Sequence, residues 1–418
     1  MKVLKFGGTS VGSAQRMKDV AKLITDGEQK IVVLSAMSGT TNTLVEISDY
    51  LYKKNPEGAN EVINKLEAKY KQHIEELYST EEYKQKTLEF VKSVFDYIRS
   101  YTKDIFTLFE EKVILAQGEI ISTNMVTNYL CEQGVKATLI PALEFMRTDK
   151  NSEPDLTYIR EKLAIQLEAN PDYEIYITQG FICRNAYGEI DNLQRGGSDY
   201  TASLIGAAVN ASEIQIWTDI DGMHDNDPRI VDKTSPVRQL HFEEAAELAY
   251  FGAKILHPTC VQPAKYANIP VRLLNTMEPT APGTLISNET EKGKIKAVAA
   301  KDNITAIKIK SSRMLLAHGF LRKVFEIFES YQTAIDMVCT SEVGVSMSID
   351  NTKHLNEIVD DLKKYGTVTV DHDMCIVCVV GDLEWENVQR LFAGLSRHYE
   401  RQSEQQQLHG FPPGQYHS

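Results

Sequence analysis

The chain has 418 residues, of which 45 are Lys or Arg and 58 are Asp or Glu, so its formal net charge at pH 7 is −13. This acidic balance argues against a broad surface for nucleic acid or anionic membrane, since either needs a positively charged face. An anionic ligand would therefore need a local cluster of positive groups. At roughly 150 residues per domain, the length predicts two or three domains.

The chain has no apolar run close to the roughly 18 residues of a membrane span, and its first residues lack an apolar signal segment. The six cysteines are scattered, so we expect a reduced, cytoplasmic protein. Cys375 and Cys378 form a C-x-x-C with apolar residues between them. Residues three apart on a strand face opposite sides, and no second pair completes a zinc site. The pattern favours a structural core role over a metal or redox site.

Short apolar runs alternate with helical patterns through the first part of the chain. Most of these runs do not alternate in polarity, which predicts strands buried on both faces in a mostly parallel α/β sheet. The predicted strands are 3–6, 31–35, 137–141, 174–178 and 213–218, with helices at 16–25 and 201–208 among them. Segment 55–112 is charged, with apolar residues at helical spacing, and predicts a helical insertion.

A turn-rich stretch at 279–283 and a polar run at 287–293 predict a domain boundary. Beyond it the order of elements is that of small α+β modules. We predict strands at 304–309, 334–338, 343–349, 367–370 and 374–380, and helices at 319–331 and 355–364. From residue 389 the chain lacks Lys and is rich in Gln, Arg and His, so we expect part of this tail to be disordered.

The motif KFGGTS at 5–10 lies at the end of the first predicted strand. Two glycines let the backbone approach a ligand closely, and the N–H groups at the start of the next helix can hold a phosphate. Lys5 adds a positive charge beside them. The motif is neither a Walker A loop nor G-x-G-x-x-G, and taken alone a Gly-Gly turn fits a tight connection equally well.

Three further motifs carry chemistry. RGGSD at 195–199 offers a guanidinium fork that suits a carboxylate or phosphate. WTD at 217–219 ends a predicted strand with groups that can hydrogen-bond a nucleoside, and FGAKILHP at 251–258 closes a helix with a lysine. Taken singly, each motif also fits a purely structural turn or helix end.

Together and in this order, these motifs, with VLSAMSGTTN at 33–42 and QGE at 117–119, resemble the aspartate kinases (aspartokinases) of the amino-acid kinase superfamily. The resemblance extends to about residue 385. It implies an amino-acid kinase domain at 1–295, including the insertion 55–112, and an ACT-type regulatory region at 296–388. The second ACT module would be incomplete, and 389–418 would be an atypical tail.

The resemblance implies that ATP, with Mg²⁺, transfers its γ-phosphoryl group to the side-chain carboxylate of L-aspartate. The product would be 4-phospho-L-aspartate, in the first step toward lysine, threonine and methionine. A carboxylate is already ionised at pH 7, so this reaction needs positioning and charge neutralisation rather than a general base.

Site residues follow from the same resemblance, position by position. The implied catalytic residues are Lys5, Arg195, Asp199 and Lys254. The implied aspartate-binding residues are Thr41, Glu119, Arg195 and Ser198, with Arg195 on the α-carboxylate and Glu119 on the ammonium group. The implied ATP-binding residues are Lys5, Gly7, Gly8, Ser10, Thr218, Asp219, His224, Arg229, Lys254 and Ile255. The family commonly has Tyr where this chain has His224, which leaves that nucleotide contact open.

Segments 311–321 and 334–342 resemble the effector-binding segments of lysine-sensitive members. The implied effector contacts are Met314, His318, Gly319, Asp336, Thr340 and Ser341, with Asp336 on an effector ammonium group. We expect lysine feedback, a homodimer or higher homo-oligomer, and neither nucleic acid nor membrane as a partner. Three alternatives stay open: another carboxylate-phosphorylating kinase such as a glutamate kinase, an inactive amino-acid sensor, and ACT modules that serve only packing and dimerisation.

Overall fold

The computed structural model describes residues 1–103, 105–193, 196–227, 231–251, 256–291, 293–311, 318–381 and 389. They form two compact units. The first comprises Met1–Ala297 and also Gly381, and the second comprises Val298–Val380. Among the residues described, no helix combines the length and the apolar character needed to cross a membrane. Apart from Gln389, the tail predicted at 389–418 lies outside the described residues, and so does the rest of a second ACT module beyond Gly381.

The first unit is built on strands and helices in alternation. Its strands are β1 (Lys2–Phe6), β2 (Lys30–Leu34), β3 (Ala137–Leu139), β4 (Ile175–Gln179), β5 (Ile182–Arg184), β6 (Ile190–Asn192), β7 (Ile214–Thr218), β8 (Gln239–His241), β9 (Val271–Asn275) and β10 (Thr284–Ser287). Its α-helices are α1 (Ala14–Ile24), α2 (Thr40–Tyr52), α3 (Pro56–Leu77), α4 (Glu81–Ser100), α5 (Leu108–Glu132), α6 (Leu156–Glu168), α7 (Gly197–Val209), α8 (Phe242–Phe251) and α9 (Gln262–Tyr266). Short 3₁₀ turns lie at Tyr101–Lys103, Ala142–Glu144 and Pro258–Val261.

Eight strands make one sheet in the order β3-β4-β2-β1-β7-β9-β10-β8. All neighbouring pairs are parallel except β9 and β10, which confirms the predicted mostly parallel α/β fold. The central strands carry apolar runs because both faces are covered, and all five residues of β2 are buried. Parallel strands end at one edge of the sheet, so the residues after β1, β2 and β7 lie near one another there.

The five predicted strands of this unit correspond to β1, β2, β3, β4 and β7 within one or two residues. The prediction missed the β5–β6 hairpin and the strands β8, β9 and β10. The hairpin strands and β8 have only three residues each, too few for a period to show. The segment at 55–112 holds α3, α4 and the start of α5, whose apolar faces join the core beneath α1 and α2.

The second unit contains β11 (Ile295–Lys310, which begins in the first unit), α10 (Phe320–Ser330), β12 (Met337–Thr340), β13 (Gly344–Ile349), α11 (Leu355–Leu362) and β14 (Thr367–Gly381). The strand order is β12-β13-β11-β14. Antiparallel pairing of β13 with β11 and β12 is that of an ACT-type α+β module. Its core joins Ile307 and Met347 of the sheet to Val324 and Ile358 of the helices, all fully or almost fully buried.

Four predictions were wrong in this unit. Residues 367–380 form one strand, β14, and not two, although Asp373 within it takes a left-handed conformation (φ 55°), which Asp tolerates better than most residues. Asn303 also takes a left-handed conformation (φ 59°) within β11. This strand is longer than the one predicted at 304–309. The strand predicted at 334–338 begins only at Met337, and Cys375, predicted in the core, is exposed.

Candidate active site at the carboxyl edge of the sheet

A cavity of about 330 Å³ lies where β1 and β2 end. Its walls come from the turn after β1, the turn between β2 and α2, the middle of α5 and the start of α7. Its lining includes Gly8, Ser35, Thr41, Glu119, Phe181 and Ser198. Four of these, Gly8, Thr41, Glu119 and Ser198, are predicted site residues.

The turn after β1 and the turn between β2 and α2 are in direct contact. Ser38 N donates a hydrogen bond to Gly8 O (3.1 Å). A Cβ atom at Gly8 would lie 2.8 Å from Ala36 O, a backbone atom that cannot give way. Gly8 is therefore required by the close approach of the two turns, which also brings its backbone up to the cavity.

A buried ion pair stands beside the cavity. Lys5, near the end of β1, places Nζ 2.7 Å from Asp199 Oδ1, and the two side chains are only 12% and 15% exposed. Asp199 lies in the first turn of α7, behind the left-handed Gly196 (φ 73°). A Cβ atom at Gly196 would lie 1.8 Å from Cys260 Sγ, so RGGSD needs glycine there to bring Asp199 to Lys5.

Glu119 enters the cavity from α5 and is 4% exposed. Its Oε1 accepts a hydrogen bond from Ala36 N (3.2 Å). Its Oε2 has no hydrogen-bond partner within the part of the chain that the structure describes. Burial raises the pKa of the Glu119 carboxyl to about 7, against the opposing effect of the backbone hydrogen bonds. A cationic donor placed in the cavity would satisfy the carboxylate.

Ser35, Ser198 and Phe181 also line the cavity. Ser35 Oγ donates to Ser198 Oγ (2.9 Å), and Ser122 Oγ of α5 donates to Ser35 O (2.8 Å). Phe181 has a left-handed backbone (φ 68°), held by a hydrogen bond from its N–H to Thr201 Oγ1 (2.9 Å). A bulky residue in this conformation is strained, and such strain is typical of ligand sites.

Comparison with known proteins decides the family. Residues 1–275 match the description "Amino acid kinase family". Lysine-sensitive aspartokinase 3 of Escherichia coli (strain K12) is 32% identical over 393 residues, which are 91% of this chain and 87% of that protein. The chain belongs to the aspartokinases of the amino acid kinase family. Aspartokinase 1, chloroplastic, of Arabidopsis thaliana is 36% identical over 413 residues, 91% of this chain and 70% of that protein.

Solved structures agree with this family assignment. E. coli aspartokinase III in complex with aspartate and ADP superposes with a TM-score of 0.78 at 32% identity, over 91% of this chain and 87% of that one. Clostridium acetobutylicum aspartate kinase superposes with a TM-score of 0.80 at 26% identity, over 95% and 91% of the two chains. The amino-acid kinase fold with an ACT-type region is therefore the fold of this chain.

Of the described residues predicted to bind ATP, Gly8 lines this cavity, whereas Gly7, Ser10, Thr218, Asp219 and His224 lie outside its lining. Thr218 and Asp219 end β7, where Thr218 Oγ1 accepts a hydrogen bond from Asp219 N (2.6 Å) and the Asp219 side chain is exposed. His224 Nδ1 lies 2.8 Å from Thr234 Oγ1. Ser10 is fully buried, and its hydroxyl hydrogen-bonds Thr276 Oγ1 (2.7 Å), so both groups already have a protein partner.

Other predicted residues divide into described and undescribed ones. Gly7 lies beside the ion pair, and a Cβ atom there would be 3.5 Å from Lys5 Nζ. Arg195, Arg229, Lys254, Ile255 and Met314 lie outside the described residues. Sequence reasoning missed Phe181 as part of the cavity wall. Phe181 stands out by its left-handed backbone conformation, which cannot be predicted from an aromatic residue in the sequence.

In the second unit the predicted effector residues are spread over two segments. His318 is exposed, Gly319 (φ 82°) caps α10, and Thr340 and Ser341 are exposed at the end of β12. The Asp336 side chain is 1% exposed and lies 3.1 Å from Lys301 Nζ, which also contacts Asp350 Oδ2 (2.9 Å). An effector ammonium at Asp336 would thus compete with Lys301.

Proposed function

We propose that this chain uses ATP to phosphorylate the side-chain carboxylate of L-aspartate, the activity of the aspartokinases to which it belongs. One observation carries the assignment of the cavity as the amino-acid site. The Glu119 carboxylate lines it with one oxygen that finds no partner among the described residues, and an amino-acid ammonium group supplies the missing donor and charge.

We propose that the rest of the amino acid lies between α2 and α7. Thr41 and Ser198 line the same cavity as Glu119 and offer hydroxyl groups. Arg195 precedes Gly196 and Gly197 in the chain, and its guanidinium fork would take the α-carboxylate. The side-chain carboxylate then points toward the Lys5–Asp199 pair.

Phosphoryl transfer would proceed by attack of that carboxylate oxygen on the γ-phosphorus of ATP. The bond from γ-phosphorus to the bridging oxygen breaks, and ADP leaves with the electron pair. No proton needs to move, because the nucleophile is already an anion. Lys5 neutralises the charge that develops between the two anions, and Asp199, 2.7 Å away, holds the Lys5 ammonium in place.

ATP would approach from the glycine turn after β1 and the end of β7. We propose that Gly7, Gly8, Ser10, Thr218, Asp219, His224, Arg229, Lys254 and Ile255 contact it, with Lys254 on the phosphates. We also propose that ATP enters as its Mg²⁺ complex. The Mg²⁺ would be held by phosphate oxygens, water and one or two carboxylates, as is usual for this ion at phosphoryl-transfer sites.

We propose that residues 296–388 regulate the kinase domain at 1–295 in response to lysine. The relative E. coli aspartokinase III has been solved in complex with lysine and aspartate, and it superposes with a TM-score of 0.75 at 31% identity over 93% of this chain and 90% of that one. The predicted contacts His318, Gly319, Asp336, Thr340 and Ser341, with Met314, would bind the effector. A homodimer or higher homo-oligomer is part of this proposal.

A hydroxamate assay tests the function. The protein is incubated with ATP, Mg²⁺ and hydroxylamine, and either L-aspartate or L-glutamate, because hydroxylamine converts an acyl phosphate into a hydroxamate, which is detected as its coloured complex with Fe³⁺. We expect aspartyl hydroxamate with aspartate and a signal at least tenfold lower with glutamate. Product with glutamate alone would assign the site to a glutamate kinase, and no product with either would favour an inactive sensor.

A further inference from the structure

Helix α3 contacts the turn at residues 37–40, which connects β2 to α2 beside the cavity. Tyr70 OH of α3 lies 2.9 Å from Thr40 Oγ1, and both residues are almost fully buried. One residue earlier on α3, Lys69 Nζ donates to Ser38 O (3.2 Å). Two consecutive residues of a helix outside the sheet therefore contact the turn that carries Ser38 and leads into Thr41.

Thr40 is held between two helices. It is the first residue of α2, and its N–H donates to Met37 O (2.9 Å). On its other side it packs against α5, where a Cβ atom at Gly118 would lie 3.3 Å from Thr40 Cγ2 and 2.8 Å from Ala36 Cβ. Gly118 immediately precedes Glu119. The contact of Tyr70 with Thr40 thus bears on the same turn that packs over the Glu119 segment.

Tyr70 itself has little freedom. It is 1% exposed, and its ring lies 5.9 Å from the ring of Phe95 on α4. Burial raises the pKa of the Tyr70 phenol well above its usual range, and the Glu119 carboxylate adds to the rise. The phenol therefore remains neutral, and its hydroxyl lies within the electrostatic field of Glu119.

We propose that Tyr70 is a positioning residue for the amino-acid pocket, acting through Thr40 to hold Thr41 and the Ser38 turn opposite Glu119. This inference rests on the proposed function, since it takes the cavity to be the aspartate site. A rigid turn keeps the pocket ready for the substrate, so the Tyr70 hydroxyl would lower the KM for aspartate without touching the substrate.

The test replaces single hydroxyl groups. Tyr70→Phe and Thr40→Val each remove one partner of the hydrogen bond, and we expect the KM for aspartate to rise roughly 3–10-fold, the range of one neutral hydrogen bond. The KM for ATP should stay within about twofold of its original value, and kcat likewise. Thr40→Ser keeps the hydroxyl and should restore the original KM. The double variant should be no worse than the more affected single one.

Tyr78→Phe is the matched control. Tyr78 is also a buried tyrosine, 4% exposed, and its OH donates to Met125 O (2.7 Å), away from the turn. Both tyrosine variants should lose similar thermal stability, but only Tyr70→Phe should raise the KM for aspartate. Equal KM values in the original protein and in Tyr70→Phe and Thr40→Val, or the same rise in Tyr78→Phe, overturn the inference. Absence of aspartate kinase activity in the unsubstituted protein would instead refute the proposed function.

Discussion

Replacing Glu119 with Gln removes a buried ionisable group and keeps its size. The side chain is 4% exposed, and the amide oxygen of Gln can still accept the hydrogen bond from Ala36 N. Because burial raises the pKa of Glu119 from 4.5 to about 7, the native state keeps a proton that the unfolded chain has already released. The charged carboxylate therefore opposes folding in the ligand-free protein.

The magnitude follows from the size of this shift. Each pKa unit corresponds to about 1.36 kcal/mol, so at pH values above 7 the ionised Glu119 destabilises the native state by about 3 kcal/mol. Since the folded-state pKa is the higher one, this loss of stability begins near the unfolded pKa, grows as the pH rises, and levels off above about 7. Between pH 5.5 and pH 8 the loss is about 2 kcal/mol, or roughly 2–3 °C in melting temperature for a unit of this size.

Two measurements follow. Melting temperatures of both proteins without ligand should show Glu119→Gln gaining roughly 2–3 °C over the original protein between about pH 5.5 and pH 8. The KM for aspartate of the original protein should fall as the pH rises toward about 7 and then stay constant, because the ammonium group binds the charged carboxylate. In Glu119→Gln that KM should be higher and independent of pH. A difference in melting temperature that does not change with pH would refute the assigned charge state, and an unchanged KM would refute the ammonium contact.

Three further predictions concern the same reaction. Lys5→Ala should lower kcat by roughly a hundredfold or more while the KM for ATP changes much less, because Lys5 acts on the charge of the transition state; an unchanged kcat in steady-state assays contradicts this role. Gly8→Ala should reduce both stability and kcat/KM, since its Cβ would lie 2.8 Å from Ala36 O. Gly27→Ala provides a control that should lose stability alone, because Gly27 has a positive φ (82°) but open space around it. Millimolar lysine should inhibit the kinase activity at subsaturating aspartate. If neither lysine nor threonine changes the rate, the proposed feedback is refuted.

The sheet was predictable because parallel buried strands appear as short apolar runs. The strands at 31–35 and 213–218 fall on β2 and β7 within a residue. The errors arise where strand pairing determines the structure against the local preference of the sequence. Asp373 looks like a turn residue, yet it lies inside β14 in a left-handed conformation, which an Asp side chain tolerates because it can hydrogen-bond locally.

The site was predictable only in part. Lys5, Glu119 and Asp199 belong to motifs that the sequence presents in family order, and the structure brings Lys5 and Asp199 to 2.7 Å. Tyr70 could not be identified in the same way, because an aromatic residue at helical spacing predicts a core position, which it also has. Its contact with Thr40 depends on how α3 packs on α2, and no local pattern encodes that packing.

The two charged groups of the site differ in what they require of a ligand. Lys5 already has a counterion in Asp199, so an anion that approaches it competes with an existing pair. Glu119 has one oxygen without a partner among the described residues, so a cation that approaches it gains a full electrostatic interaction and relieves the cost of burial. In the proposed binding mode, the amino end of the substrate therefore gains more from binding than its reacting end, which suits a kinase that must bring two anions together. Binding energy collected at Glu119, remote from the reaction, can hold the side-chain carboxylate against the phosphoryl group that repels it.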